Sequence, residues 1–175
     1  MKHVNAYPFV GKDYEKGFLN SGKKVLLLGL SHYNEENAGA PCHHTFTQEI
    51  VDGFVSGEDA SFYRGYTSQT KALLNREISV DDRECVWNQL AFYNFIQFNI
   101  ARPGVKDTSD EFNSSVSAFK EILEELKPDV IILGVMVSSI DFILLARKMV
   151  RNCFWLMVMR LILVGLALAA KIRLL

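Results

Sequence analysis

No CxxC pair occurs in this 175-residue chain, and its three cysteines, Cys42, Cys85 and Cys153, are scattered and odd in number. A zinc ribbon or an iron–sulfur cluster therefore lacks its usual ligand spacing. A disulfide framework is equally poorly served, and the cysteine usage fits a reducing, cytoplasmic setting. The N-terminus, MKHVNAYPFVGKDYEKG, has no apolar run of signal-peptide length. Internal repeats and low-complexity segments are absent. The largest deficit is local: no Asp or Glu follows Asp141, and no proline follows Pro128. Residues 1–141 hold 13 basic and 20 acidic residues, a net −7, whereas 142–175 hold six basic residues and no acidic one, a net +6. The chain divides on this break into a domain at 1–141 and a basic apolar tail at 142–175.

What is present has the composition of a globular domain, 49% hydrophobic and 22% charged. KVLLLG (24–29) is a short apolar run between glycines without helical period, which predicts a strand buried on both faces. DVIILG (129–134) repeats the pattern, with Pro128 ending the element before it. Two such strands predict an α/β fold with a parallel sheet covered on both sides. Ligands of such sheets bind beyond the carboxyl ends of the strands, where residues 30–34 fall. SSVSAFKEILEELK (114–127) predicts a helix with Val116, Phe119, Ile122, Leu123 and Leu126 on one face. Its start is capped by Ser114 or Ser115, or earlier by Thr108 with Glu111 as a capping box. SVDDRECVWNQ predicts a helix start with Ser79 as cap and Asp81 and Asp82 in the first turn. LAFYNFIQF (90–98) reads as a third strand. Alternation sets Phe92, Asn94 and Ile96 on one face and Tyr93, Phe95 and Gln97 on the other. Residues 34–78 read as loop with short helices.

Three constellations carry chemistry. GLSHY (29–33) is either a strand-to-loop turn or a pocket mouth presenting Ser31, His32 or Tyr33 to a ligand. It is not a nucleophile elbow, which needs glycine where Tyr33 stands, nor a phosphate loop, which needs a further glycine and a lysine. Asn94 lies among aromatics, where a buried amide requires partners. It either bonds to backbone at a strand end or reads a base or another amide-bearing ligand. PCHH (41–44) gathers possible metal donors, but the other histidines are only His3 and His32, so no metal site is expected.

In order along the chain, PFVGKDY, KVLLLGLSHY, WNQLAFYNFIQ and LKPDVIILG resemble the uracil-DNA glycosylase-like superfamily, in particular a bacterial branch whose first motif reads GESHY. The resemblance spans about residues 8–136. It implies a three-layer α/β/α sandwich with a central, mostly parallel sheet of about four strands. Active members extrude a base from DNA and hydrolyse its glycosidic bond, since the sugar bond of a stacked base is out of reach. On this likeness Gly29 matches the motif glycine, Tyr33 falls where a tyrosine excludes a thymine methyl, and Asn94 matches the base-reading asparagine. Phe46 lies near the base-stacking phenylalanine. His32 and Asn94 are then the candidate catalytic residues, and Gly29, Ser31, Tyr33, Phe46 and Asn94 the candidate substrate-binding ones. The implied partner is DNA or a nucleobase-containing ligand, with no cofactor, for an intact monomer.

The chain departs from the family in three places. Leu30 or Ser31 occupies the position of the acid that activates water, and neither is an adequate base. No His-Pro-Ser loop follows residue 134. The sequence pI of 6.4 gives no overall basic signature for DNA. The expectation is a base-recognising domain with impaired hydrolysis, or a non-catalytic nucleobase-binding module. The tail leaves three readings. FWLMVMRLILVGLALAA (154–170) is a membrane-contacting segment, although Arg160 would cost about 2.5–3.5 kcal/mol at a bilayer centre. Alternatively, RLILVGLALAA is the last buried strand with its loop, or the tail is the product of a reading-frame shift that ended the domain early.

Overall fold

A computed structural model describes residues 1–58 and 63–133, together with the backbone of three short strands at 154–157, 159–160 and 169–170. The strands are β1 (Phe9–Val10), β2 (Val25–Gly29), β3 (His32–Tyr33), β4 (Ala91–Asn94), β5 (Asn99–Ile100), β6 (Val130–Leu133), β7 (Phe154–Met157), β8 (Met159–Arg160) and β9 (Ala169–Ala170). The helices are α1 (Phe46–Val55), α2 (Arg64–Leu74), α3 (Val80–Trp87) and α4 (Ser109–Leu126). The main sheet runs β1-β4-β2-β6-β7. Strands β4, β2, β6 and β7 are parallel, and β1 closes the β4 edge antiparallel.

The two apolar runs become the centre of this sheet. Every residue of β2 is buried. Successive side chains of a strand point to opposite faces, and the packing follows that rule. Leu26, Leu28, Ala91, Tyr93, Ile131 and Leu133 join Ala118, Phe119, Ile122 and Leu126 of α4 in one core. Val25, Leu27, Phe92 and Ile132 join Val51 and Phe54 of α1 and Val86 and Trp87 of α3 in the other. The result is an α/β/α sandwich with helices on both sheet faces. Each fully buried large apolar side chain contributes about 1.5–3 kcal/mol relative to exposure.

The caps are read directly from the chain. Ser79 accepts from the Asp82 amide at the start of α3. At α4 the earlier start holds: Thr108 and Glu111 form a capping box, and the helix runs 18 residues from Ser109, with Ser114 and Ser115 inside it. Lys127 ends it with φ 45° before Pro128.

The third strand is shorter than the alternation predicts. β4 stops at Asn94 because the Phe95 and Ile96 amides bond to the successive carbonyls of Gly29 and Leu30, at 3.1 and 2.8 Å. A parallel ladder engages alternate residues, so two consecutive donors mean that the backbone has turned. Alternation holds to Asn94, beyond which Phe95 and Ile96 both enter the α4-side core.

In the tail, the strand that joins the main sheet is Phe154–Met157, register-paired with Val130–Leu133. Part of RLILVGLALAA pairs elsewhere: Met159–Arg160 lies antiparallel to Ala169–Ala170. The other tail expectations, including the missing loop after residue 134, fall outside the described residues. No helix among the described residues is long and apolar enough to cross a membrane.

Candidate functional site

The carboxyl ends of β2 and β4 lie side by side, with Gly29 opposite Asn94 in the register. Gly29 is needed there for space. A Cβ at this position would sit 2.0 Å from Asn94 Oδ1 and 3.1 Å from Phe92 Cζ. The Asn94 amide is thus pressed against bare backbone, and the residue is 4% exposed.

Asn94 shares the stretch NFIQFN with two other buried amides, and the three do different work. Gln97 accepts from the Asn5 and Ala6 amides at 2.9 and 3.0 Å and donates to the Asn94 carbonyl at 3.0 Å. Asn99 donates to the carbonyls of Ala40 and Pro41 at 3.1 and 3.3 Å. These two amides tie backbone groups and hold loops, Asn99 also accepting from Cys42 Sγ at 3.7 Å. The Asn94 amide instead meets side chains. Its Nδ2 lies 3.3 Å from His32 Nδ1 and 3.5 Å from His32 Nε2. The near-equal distances set the amide nitrogen against that flank of the ring, not in line with one lone pair. Its other side-chain partner is Tyr66 of α2.

β3 directs His32 inward and Tyr33 outward, as its two-residue alternation requires. His32 is 2% exposed and Tyr33 43%. The His32 ring stacks on Phe46 at the start of α1, with centroids 4.5 Å apart and planes 19° from parallel. The other face of Phe46 is not free for a second ligand ring, since His43 also stacks on it at 4.7 Å. His32 Nε2 and the Thr47 hydroxyl are 3.1 Å apart. Burial, with the neighbouring His43 second, holds the His32 pKa down to about 3. The imidazole is neutral at physiological pH and cannot serve as a cationic phosphate contact in this position. Burial raises the Tyr66 hydroxyl, and raises Tyr33 as well.

The structure therefore brings Gly29, His32, Phe46 and Asn94 together. Ser31 is half-buried in the link between β2 and β3, and Tyr33 stands at the surface beside this group. Thr47 and Tyr66 also belong to the cluster, although nothing in the sequence singled them out. Tyr63, at the start of α2, and Tyr66 and Thr70 within it recur at helical spacing, a signal that marks one face of the helix but not what that face meets. Gln69, from the same helix, caps the strand ends by donating to the Leu28 and Ile132 carbonyls at 3.2 and 3.4 Å.

Leu30 leaves the cluster. It packs against the α4-side core, on the opposite sheet face from Phe92. Glu35 and Glu36 are exposed. The carboxylate joined to the ring stack is that of Glu49, 3.0 Å from His43 Nε2 and itself exposed. Thr45 and His43 hydrogen bonds hold it below the usual carboxylate range.

The PCHH run disperses. Cys42 is buried beside Asn99, at 3.7 Å from its Oδ1, and burial pushes its thiol up to about 12. His43 turns to Phe46 and Glu49, while His44 bonds to the Asn5 carbonyl and stacks on Tyr7. Among the described residues no group of three or more His, Cys, Asp or Glu side chains is arranged to hold a metal ion. No protein-family profile matches the sequence, and no curated protein matches it.

Proposed function

We propose that this chain is a uracil-DNA glycosylase-like domain that recognises a nucleobase through Asn94 and does not hydrolyse its glycosidic bond efficiently. The observation that carries the reading is the Asn94 amide. It is buried at the carboxyl end of a central parallel strand, packs on the bare backbone of Gly29, finds its polar partners in the side chains of His32 and Tyr66, and has the stacked His32 and Phe46 rings beside it. A side-chain amide pairs with a pyrimidine edge through one donor and one acceptor, and such bidentate pairs contribute about 1–3 kcal/mol of discrimination. Phe46, on the face that His32 covers, offers the ring on which a flat base is layered, its other face being taken by His43. The position also agrees with where open parallel sheets bind their ligands.

Hydrolysis is the weaker half. A glycosidic water needs a base to activate it, and among the described residues no carboxylate touches His32 or Asn94. Leu30, at one of the two positions the family likeness assigns to the acid, faces the opposite core. This favours binding over turnover.

The test uses a single-stranded oligonucleotide with one uracil, which avoids the cost of extruding a base from a duplex. Fluorescence anisotropy is expected to show uracil-dependent binding that Asn94→Ala weakens about ten- to a hundredfold, following from about 1–3 kcal/mol. Alkaline treatment after incubation is expected to reveal no strand cleavage at an abasic site. Binding that ignores both the uracil and Asn94 would sink the reading, and cleavage at the uracil would overturn its non-hydrolytic half.

A further inference from the structure

We propose that His32 is the resident occupant of the base site, its imidazole holding the space against Phe46 and Asn94, and that a nucleobase binds by displacing it. The proposal rests on the base-site reading of Asn94 and adds how that site is gated and what class of ligand opens it.

The contacts of His32 are those expected of a bound heteroaromatic ring. One face is layered on Phe46, with centroids 4.5 Å apart. A hydroxyl meets a ring nitrogen, Thr47 Oγ1 to Nε2 at 3.1 Å. The amide of Asn94 touches the same ring at 3.3 Å. All three partners are side chains, whereas the buried amides of Gln97 and Asn99 are tied to backbone groups. The ring is also neutral, as a displaced or displacing base would be, so exchange moves no net charge through the apolar interior.

The location suits displacement. His32 belongs to β3, a two-residue strand that pairs, among the described residues, with β5 and lies apart from the main sheet. Its backbone is held by a short ladder, His32 opposite Asn99 and Tyr33 opposite Ile100. Swinging the ring outward, toward the exposed side where Tyr33 already stands, releases the Asn94 side chain but breaks no backbone ladder bond of the central strands. The ligand class follows from what the ring leaves behind: a flat, uncharged heterocycle with hydrogen-bonding edges, the size of a pyrimidine, stacked on Phe46.

Displacement has a thermodynamic signature. Where the binding-competent state is the minor one, apparent affinity falls by its fractional population. With an open state populated at about 1–10%, removing the ring tightens binding about ten- to a hundredfold. A ring that merely helped to hold the ligand would give the opposite sign.

The experiment titrates free uracil into the full-length wild-type protein, His32→Ala and His32→Gly by calorimetry, after circular dichroism has established that each is folded. The expected result is uracil bound about ten- to a hundredfold more tightly by His32→Ala than by the wild type. Imidazole is expected to raise the melting temperature of His32→Gly with dose and to compete with uracil there. A folded His32→Ala that binds uracil no better than the wild type overturns the proposal. If neither variant folds, histidine-labelled wild-type protein is followed by NMR. Saturating uracil is expected to move the His32 ring from its low pKa of about 3 toward an ordinary, solvent-exposed titration. A ring unchanged by bound uracil overturns the proposal as well. Failure of the underlying base reading looks different: no protein binds uracil. Imidazole rescue of His32→Gly would then show a ring site for another heterocycle, and absence of rescue would remove both.

Discussion

Gly29 leaves no room for a side chain, and this fixes how tightly the Asn94 amide is held. A methyl group there must displace a 4%-exposed asparagine, because the added Cβ would lie 2.0 Å from Oδ1. Overpacking of this kind costs about 1–3 kcal/mol. Gly29→Ala is therefore expected to keep the fold, lower the denaturant midpoint without changing the m-value, and abolish Asn94-dependent base binding. Retained binding would show that the amide position is not critical. His32 gives a second residue-scale consequence. Its folded-state pKa is depressed to about 3, from about 6.5 in the unfolded chain. Between those values the unfolded state binds more protons, so stability rises with pH. The contribution is fully present above about 6.5 and is lost as pH falls toward 3, by up to about 1.4 kcal/mol per pH unit. Urea titrations of wild type and His32→Gln across pH 4–7 check this, with a shallower acid limb expected in the variant. Gly29, His32 and Asn94 were visible in the sequence as a glycine after an apolar run, a histidine just beyond it and an amide among aromatics. Thr47 and Tyr66 were not, because a threonine or tyrosine on a helix announces nothing until the neighbouring strand end is known.

The elements show the same division between what is local and what is not. β2, β6, α3 and α4 follow from short-range signals: apolar runs bounded by Gly or Pro, a serine cap, and a Thr–Glu capping box. The end of β4 does not, since it is set by paired bonds from Phe95 and Ile96 to carbonyls of β2 and its extension, 66 residues away in each case. That turn separates Asn94 from the loop amides Gln97 and Asn99. Leu30, one of the two candidates for the acid position, alternates to the α4-side core and is half-buried against it. Leu30→Glu is accordingly expected to create no hydrolysis. Its carboxylate would be partly desolvated without a partner, with a loss of about 1–3 kcal/mol in urea unfolding. Strand cleavage at uracil by a stably folded Leu30→Glu protein would show instead that the position reaches the base site.

At the scale of the whole molecule, the composition break and the sheet do not coincide. Charge and proline content divide the chain at residue 141, yet Phe154–Met157 lies across that boundary and pairs with β6 throughout its length. The α/β class and the covering of both sheet faces were legible because β2 and β6 lack any polar face. The membership of β7 was not, because a basic apolar segment with no acidic residue or proline is compatible with a strand, a membrane contact or a frame-shifted end. The pairing gives the tail a structural task that can be measured. In a chain ending at Asp141, β6 would become the sheet edge, presenting unpaired backbone groups along Ile131, Ile132 and Leu133, whose side chains are buried in the two cores. Long, apolar, unpaired edges recruit other strands. The shortened chain is therefore expected to self-associate in sedimentation velocity and to unfold with a smaller m-value than the full chain, because less surface is buried. A monomeric 1–141 fragment with the full chain's midpoint and m-value would show that β7 adds nothing to the folded domain.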